Sequence, residues 1–504
     1  MWTSSRWGRA AWARDAGCKG RCEVRVLYID IDSLRPDHLG CYGYRRPTSP
    51  NIDRIAREGT CFTRAYTGSS PCVPSRATLI SGRLGVHHGV LTHWGPGSEF
   101  RFPGEGHHYR RDMPLLTRHL REHGYRTVSF SSFADRHQAF WFCGGWTELH
   151  NPTLKQGEED ADEINAAVIP WLRAHGAEDD YFLHVHYWDP HRNYTLDQSW
   201  IDLVTAEPPP DWPDEAAIAA HQASYGPFTA SELFPFAADG QSPVPTMPDR
   251  IADRADFTRM VDGYDGEIRY ADEHVGQLLT VLDEMGVLDE TAVIVSSDHG
   301  EAMGEHGVYG DHVCADEAVH HIPMIVRWPG AGPADTTRDG FLSNVDLPPT
   351  LCELLDVPVP PGWDGESFAP AVRGDDWEGR PFLVWEHGVY SCQRAVRTRE
   401  WLYVHTYHPG LFPFDETALF DIQVDQHQTT DLSAGHPGIV AELQRVLREW
   451  LDENLPPEGD PMSAIIESGP WRYVQPDRWI ARLRDRGRGA DADTILTRLD
   501  EATH

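Results

Sequence analysis

No run of roughly eighteen apolar residues occurs anywhere in the 504-residue chain, so no transmembrane helix is expected. Basic residues are scarce: 44 Lys and Arg stand against 78 Asp and Glu, a formal charge of −34. That balance argues against nucleic acid or an anionic membrane surface as a partner, and any anion must be held by a local pocket of Arg, His and metal. Paired cysteine spacings are missing too. The nine cysteines read as reduced thiols rather than a disulfide framework, which favours the cytoplasm. Residues 1–23 are mildly basic but lack a continuous apolar core and a small-residue cleavage site, so they read as an extension without fixed structure. No internal repeats are found.

What is present is an ordinary globular composition, 40% hydrophobic and 24% charged, with 38 prolines and 44 glycines that imply many turns. The length suits one large α/β domain with a smaller partner. Apolar, β-branched runs at Val24–Ile31, Tyr125–Phe130, Tyr181–Tyr187, Thr291–Ser297 and Pro323–Pro329 predict buried strands. Helical spacing predicts helices over Met113–Gly124 and Val261–Met285, the acids of the latter capping and solvating it. Residues 24–379 form the expected large unit. Short strands from residue 380 and a helix over Val440–Leu451 give a small unit to 460, and 461–504 read as a polar tail with one helix. Residues 205–249, rich in Pro and Ala, are expected to be an irregular insertion over the active site.

The most specific string is Cys72-Val73-Pro74-Ser75-Arg76-Ala77-Thr78-Leu79-Ile80-Ser81-Gly82-Arg83. Pro74 suits the first turn of a helix, and Ser81-Gly82 supply its stop. Residue 72 is then at the positive end of a helix dipole, with Arg76 one turn on. Asp30 and Asp32 lie at the end of the first strand, on one face. Asp298-His299 end a second strand, and facing Asp32 they make an oxygen/nitrogen metal site.

These residues resemble the type I sulfatases of the alkaline phosphatase superfamily. The 72–83 string matches every fixed position of their signature, C-x-P-S-R-x-x-L-x-[ST]-G-[RK]. Further words, Thr48-Ser49-Pro50-Asn51-Ile52-Asp53, Asp189-Pro190-His191 and Tyr264-Asp265-Gly266-Glu267-Ile268, extend the likeness over roughly residues 24–455. The resemblance implies a largely parallel sheet between helices plus a small antiparallel C-terminal sheet with a helix. It implies oxidation of Cys72 to formylglycine by a maturation enzyme, and a divalent cation on Asp32, Asp298, His299 and residue 72. Calcium is the usual ion, with manganese or magnesium open. The implied reaction is attack of the formylglycine hydrate on a small or saccharide sulfate ester. Arg76 and His191 stabilise the sulfuryl group, and His191, His312 or His137 protonates the leaving oxygen. The second hydroxyl then loses its proton and sulfate is expelled.

Three departures from the family pattern matter. Ser33 stands where many relatives carry a second metal-binding Asp, which Asp30 either replaces or leaves unreplaced. Ser131 to His137 replaces a Lys/His word, so Arg136 and His137 become candidates for contacting sulfate. Asp311 stands where relatives place a lysine, leaving His312 or His306 for the leaving group, or Asp311 for a cationic substrate. The rival readings are hydrolysis of a phosphate diester or phosphonate monoester on the same scaffold, and a non-catalytic binding relative.

Overall fold

The computed structural model describes residues 24–100, 114–178, 180–191, 193–237, 240–471 and 476–501. The reading of residues 1–23, and Met113 at the start of one expected helix, fall outside them. Among the described residues no helix is long and apolar enough to cross a membrane.

The apolar runs assemble one nine-stranded sheet. Its order is Thr336–Arg338, Thr60–Tyr66, His321–Arg327, Thr291–Ser296, Arg25–Ile31, Tyr181–Tyr187, Arg126–Phe130 and Glu148–His150, with Leu342–Ser343 also beside Thr60–Tyr66. Every pairing is parallel except those of His321–Arg327, which runs against both neighbours. Arg25–Ile31 is buried on both faces, as its mostly apolar run requires of a central strand covered by helices. Its carboxyl end, and those of Tyr181–Tyr187 and Thr291–Ser296, meet where a parallel sheet gathers its ligands.

Helices cover both faces. The longest, Arg254–Glu284, packs Phe257, Met260, Val261, Tyr264, Ile268 and Leu278 into the larger core cluster. Its acids do more than face water. Asp272 accepts the backbone N–H groups of Asn51 and Ile52 and so caps the neighbouring helix Pro50–Glu58. Asp265 holds His38, Tyr44 and Arg46, and Glu267 accepts the N–H groups of Thr195 and Leu196. All three are buried, so these acids fix three neighbouring segments of the chain.

The smaller sheet runs Thr417–Asp421, Trp401–His408, Cys392–Arg397 and Leu383–His387, antiparallel throughout, against the helix Pro437–Asn454. A fifth strand comes from far upstream: Ser69–Ser70, just before Cys72, pairs in parallel with Leu383–His387. Residues 461–504 are not a single-helix tail. They carry the helices Pro461–Ser468, Pro476–Asp485 and Gly489–Glu501, and Trp479, Ile480, Leu483 and Ile495 pack with Phe228, Tyr390 and Phe412. The apolar side of Pro476–Asp485 spans too few turns to stand out in the sequence.

Candidate active site

Cys72 opens the helix Cys72–Ser81, which is buried along its whole length. The string of residue types follows from that burial. Ser75 Oγ accepts hydrogen bonds from Thr67 Oγ1 at 2.9 Å and Asn344 Nδ2 at 3.1 Å, and Thr78 Oγ1 meets His88 Nε2 at 3.0 Å. Gly82 ends the helix at φ +64, and a Cβ there would stand 2.7 Å from the Trp363 ring, so only glycine fits. Upstream, Ser70 Oγ lies 2.8 Å from both His320 Nε2 and His387 Nδ1. The helix start is thus pinned from the large sheet and the small one.

Four groups converge as expected. Donor atoms of Asp32, Cys72, Asp298 and His299, all buried, lie within 4.8 Å of one another. His299 Nδ1 contacts the Gly300 carbonyl at 2.8 Å, so it carries the proton there. Nε2 is left with its lone pair toward Cys72 Sγ, 3.1 Å away, the orientation a metal-ligating imidazole adopts.

Arg76 differs from expectation. Its guanidinium directs four of its five N–H groups to Asp30 (2.9 Å), Asp32 (3.0 Å), Asp298 (2.5 Å) and His186 Nε2 (2.8 Å). Buried carboxylates outbid a transient sulfate for it. Asp30 correspondingly is no spare ligand; it is the counter-ion of Arg76 and a partner of His184. His184 and His186, alternating along Tyr181–Tyr187, stand directly behind the two strand-end carboxylates. Ser33, at φ +59, supplies no carboxylate, but its Oγ donates to Asp32 and its N–H to Asp298.

Burial opposes ionisation of all three carboxyls, but Arg76 holds Asp30 and Asp32 below the ordinary range. Asp298 is pushed up to about 7 by burial, which outweighs the attraction of Arg76, and Asp32 adds a smaller repulsion. Three carboxylates share one guanidinium, so a divalent cation is the charge that would balance the set. Oxygen donors with one imidazole suit calcium, magnesium or manganese. The donor set fits the ion. Burial, then Asp32 and Asp298, also push the Cys72 thiol well above its usual value, so as a thiol it is a weak nucleophile.

A cavity of about 840 Å³ opens over Cys72 and is walled by Arg136, His137, His191, Asp311 and His312. All five are candidates from the sequence, and the fold brings them together on one cavity wall. Arg136 lies over the Trp188 ring at 5.1 Å and pairs with Glu158 at 3.3 Å, and the His312 ring is 4.3 Å from that of His299. The 205–249 insertion contributes Phe228, Phe234, Phe236 and Pro243 to the wall. His306 is the exception. It lies in a different cavity, beside Phe414 and Phe420, because the chain turns at Gly304–Gly307 and points it away from Cys72.

Sequence reasoning missed His93, whose ring stands 4.9 Å from His137 and 6.3 Å from His312 on the same wall. It sits in an irregular loop with no periodic or motif signal. His93 Nε2, both ring nitrogens of His137 and His312 Nδ1 are buried with no hydrogen-bond partner among the described residues. Burial first, and then neighbouring imidazoles, hold all three well below the usual imidazole value. They are neutral at pH 7, and each offers the cavity an N–H or a lone pair.

Comparison with known proteins follows this geometry. The Sulfatase family model matches residues 25–357, and the N-sulphoglucosamine sulphohydrolase C-terminal model matches residues 304–454. The chain is similar to the N-acetylglucosamine-6-O-sulfatase of Bacteroides thetaiotaomicron, 21% identical over 89% of this chain and 90% of that protein. In fold it is similar to a sulfatase structure solved in complex with its substrate, D-glucosamine-2-N,6-O-disulfate. There the TM-score is 0.67 at 20% identity, over 86% of this chain and 98% of that one. It is also similar to the phosphonate monoester hydrolase of Agrobacterium radiobacter, with a TM-score of 0.65 at 21% identity, over 86% and 99%. With two thirds of its length matched by the family model, the chain belongs to the sulfatase family, hydrolases of sulfate esters.

Proposed function

We propose that the chain hydrolyses the sulfate monoester of a sugar or another small alcohol, using residue 72 as nucleophile after its oxidation to formylglycine by a maturation enzyme. The convergence of Asp32, Cys72, Asp298 and His299 at one strand-end cluster carries this reading. Asp32, Asp298 and His299 would hold one divalent cation, calcium by preference for carboxylate oxygens. Cation and oxidised side chain together would supply an ionised hydroxyl at position 72 and neutralise charge on a sulfate oxygen. Similarity to a glucosamine-6-O-sulfatase, and to a structure holding a disulfated glucosamine, favours a saccharide sulfate.

The chain's own residues do the rest. Arg76 keeps Asp32 ionised and fixed. The amino end of the Cys72–Ser81 helix faces the developing negative charge. Arg136 supplies a permanent cation on the wall, and the neutral imidazoles of His93 and His137 supply N–H donors. His191 gives a proton to the leaving oxygen, His312 as a neutral imidazole offers it an N–H, and the aromatic insertion excludes water. His93→Ala is expected to lower kcat/KM roughly ten- to a hundredfold, the worth of one hydrogen bond to a charged group, with the melting temperature unchanged. Unchanged kinetics would remove His93 from the site.

A second reading, phosphonate monoester or phosphate diester hydrolysis, is favoured by the single N-terminal Asp32 with Ser33 beside it, and by Asp311 in place of a lysine. Turnover of matched aryl sulfate, aryl phosphonate and phosphate diester substrates by matured protein separates the two. Sulfate is expected to lead by about a hundredfold or more in kcat/KM, equivalent to ~2.7 kcal/mol in the barrier. A lead for phosphonate would overturn the assignment.

A further inference from the structure

His306 is displaced from the catalytic cavity into company that makes chemical sense. Its ring nitrogen, Cys314 Sγ and a carboxylate oxygen of Asp316 lie within 4.8 Å of one another, with Cys314 and Asp316 fully buried. Cys314 Sγ donates to Asp316 Oδ2 at 3.2 Å, and Asp316 Oδ1 accepts the Val319 N–H at 2.7 Å, which aims the carboxylate. All three line a cavity of about 450 Å³ between the 205–249 insertion and the small sheet. Gln428 lines it too, 3% exposed, its Nε2 buried without a partner among the described residues.

We propose that His306, Cys314 and Asp316 form a second metal site, distinct from the catalytic one, that takes a borderline-soft divalent cation of the zinc type. The donor sets separate the two. Asp32 and Asp298 give the catalytic set two carboxylate oxygens, which suit a hard ion, and the soft Cys72, His299 and His312 group beside them loses its sulfur on the proposed oxidation; at the second site thiolate sulfur with imidazole nitrogen stays and selects zinc over calcium. Three protein ligands leave a position toward the cavity. On binding, Cys314 gives up its thiol proton to solvent and its sulfur bonds the cation.

The consequence for the fold is specific. His306 and Cys314 bracket the short hairpin arm Tyr309–Asp311, which pairs with Ala302–Met303, and His312 follows it directly. Asp311 and His312 reach the catalytic cavity from this arm. A cation joining residues 306, 314 and 316 closes a short loop around the segment that carries them. It thereby fixes two site residues without touching substrate.

Cobalt(II) titration of the full-length protein tests this, read by absorbance. One equivalent is expected to give a thiolate-to-cobalt charge-transfer band and tetrahedral d–d bands. Zinc should displace both, and calcium neither. Cys72→Ala should retain the bands, and in that background, free of the catalytic thiol, Cys314→Ala should abolish them. Because Cys314 is buried, Asp316→Asn and His306→Ala provide variants closer to the native packing, and each is expected to weaken cobalt binding by about tenfold or more. Bands that survive Cys314→Ala, or none in the wild type at millimolar cobalt, would overturn the proposal.

Discussion

Alanine at position 72 is expected to reduce kcat/KM for a sulfate ester by about 10⁴- to 10⁶-fold, the range lost when a covalent nucleophile is removed. The fold should survive. Cys72 Sγ meets His299 Nε2 at 3.1 Å, and a single buried thiol costs on the order of 1–2 kcal/mol to truncate. Serine is the more informative variant. It keeps a hydroxyl that can take the sulfuryl group but lacks the second hydroxyl whose proton loss would expel it. Brief incubation with substrate should therefore leave one sulfuryl group on residue 72, visible by mass spectrometry, with no further turnover. A serine variant that turns over at the wild-type rate would show that residue 72 is not the attacking group.

The second large effect is on stability. Arg76→Met removes the one guanidinium shared by Asp30, Asp32 and Asp298, all buried. Stripping the partner from a buried ion cluster costs about 3–5 kcal/mol, a large part of the ~5–15 kcal/mol that holds a typical protein folded. The apparent melting temperature should drop by several degrees, and soluble yield with it. The loss should be partly reversed by millimolar calcium, more than in the wild type, because a cation among the carboxylates offsets the missing charge. An unchanged melting temperature would mean that these carboxylates are not ionised together. An equal calcium response in both proteins would uncouple Arg76 from the metal set.

Much of this was legible in the residues, for a physical reason. Arg25–Ile31 and Tyr181–Tyr187 are central strands, and burial on both faces writes short, mostly apolar runs with polar residues only at a few places. The Cys72–Gly82 string was legible because nearly every member has a fixed neighbour, from Ser75 and Thr67 to Gly82 and Trp363. What stayed hidden is what depends on direction. Arg76 one helical turn from residue 72 fits a substrate-facing or a carboxylate-facing guanidinium equally, and only the packed strand ends decide. His306 and His312 sit six residues apart in one loop, yet the turn at Gly304–Gly307 sends them to different cavities. His93 has no pattern at all, because a loop side chain brought to a site by tertiary packing leaves no period in the sequence. The acids of Arg254–Glu284 were misread for a related cause: charge alone does not tell a solvated face from one that caps its neighbours.

The pairing of Ser69–Ser70 with Leu383–His387 bears on timing. Ser70 and His387 are 317 residues apart in the chain, so at about 5–20 residues per second a ribosome needs roughly 15–60 s between making one and making the other. During that interval the start of the Cys72 helix lacks its strand partner and one of the two imidazoles that pin Ser70. In the finished fold Cys72 is 1% exposed, closed to any macromolecule. A maturation enzyme of the kind proposed above would therefore work against a clock set by translation. Synthesis rate, and not catalytic-site chemistry alone, would then govern what fraction of chains becomes active.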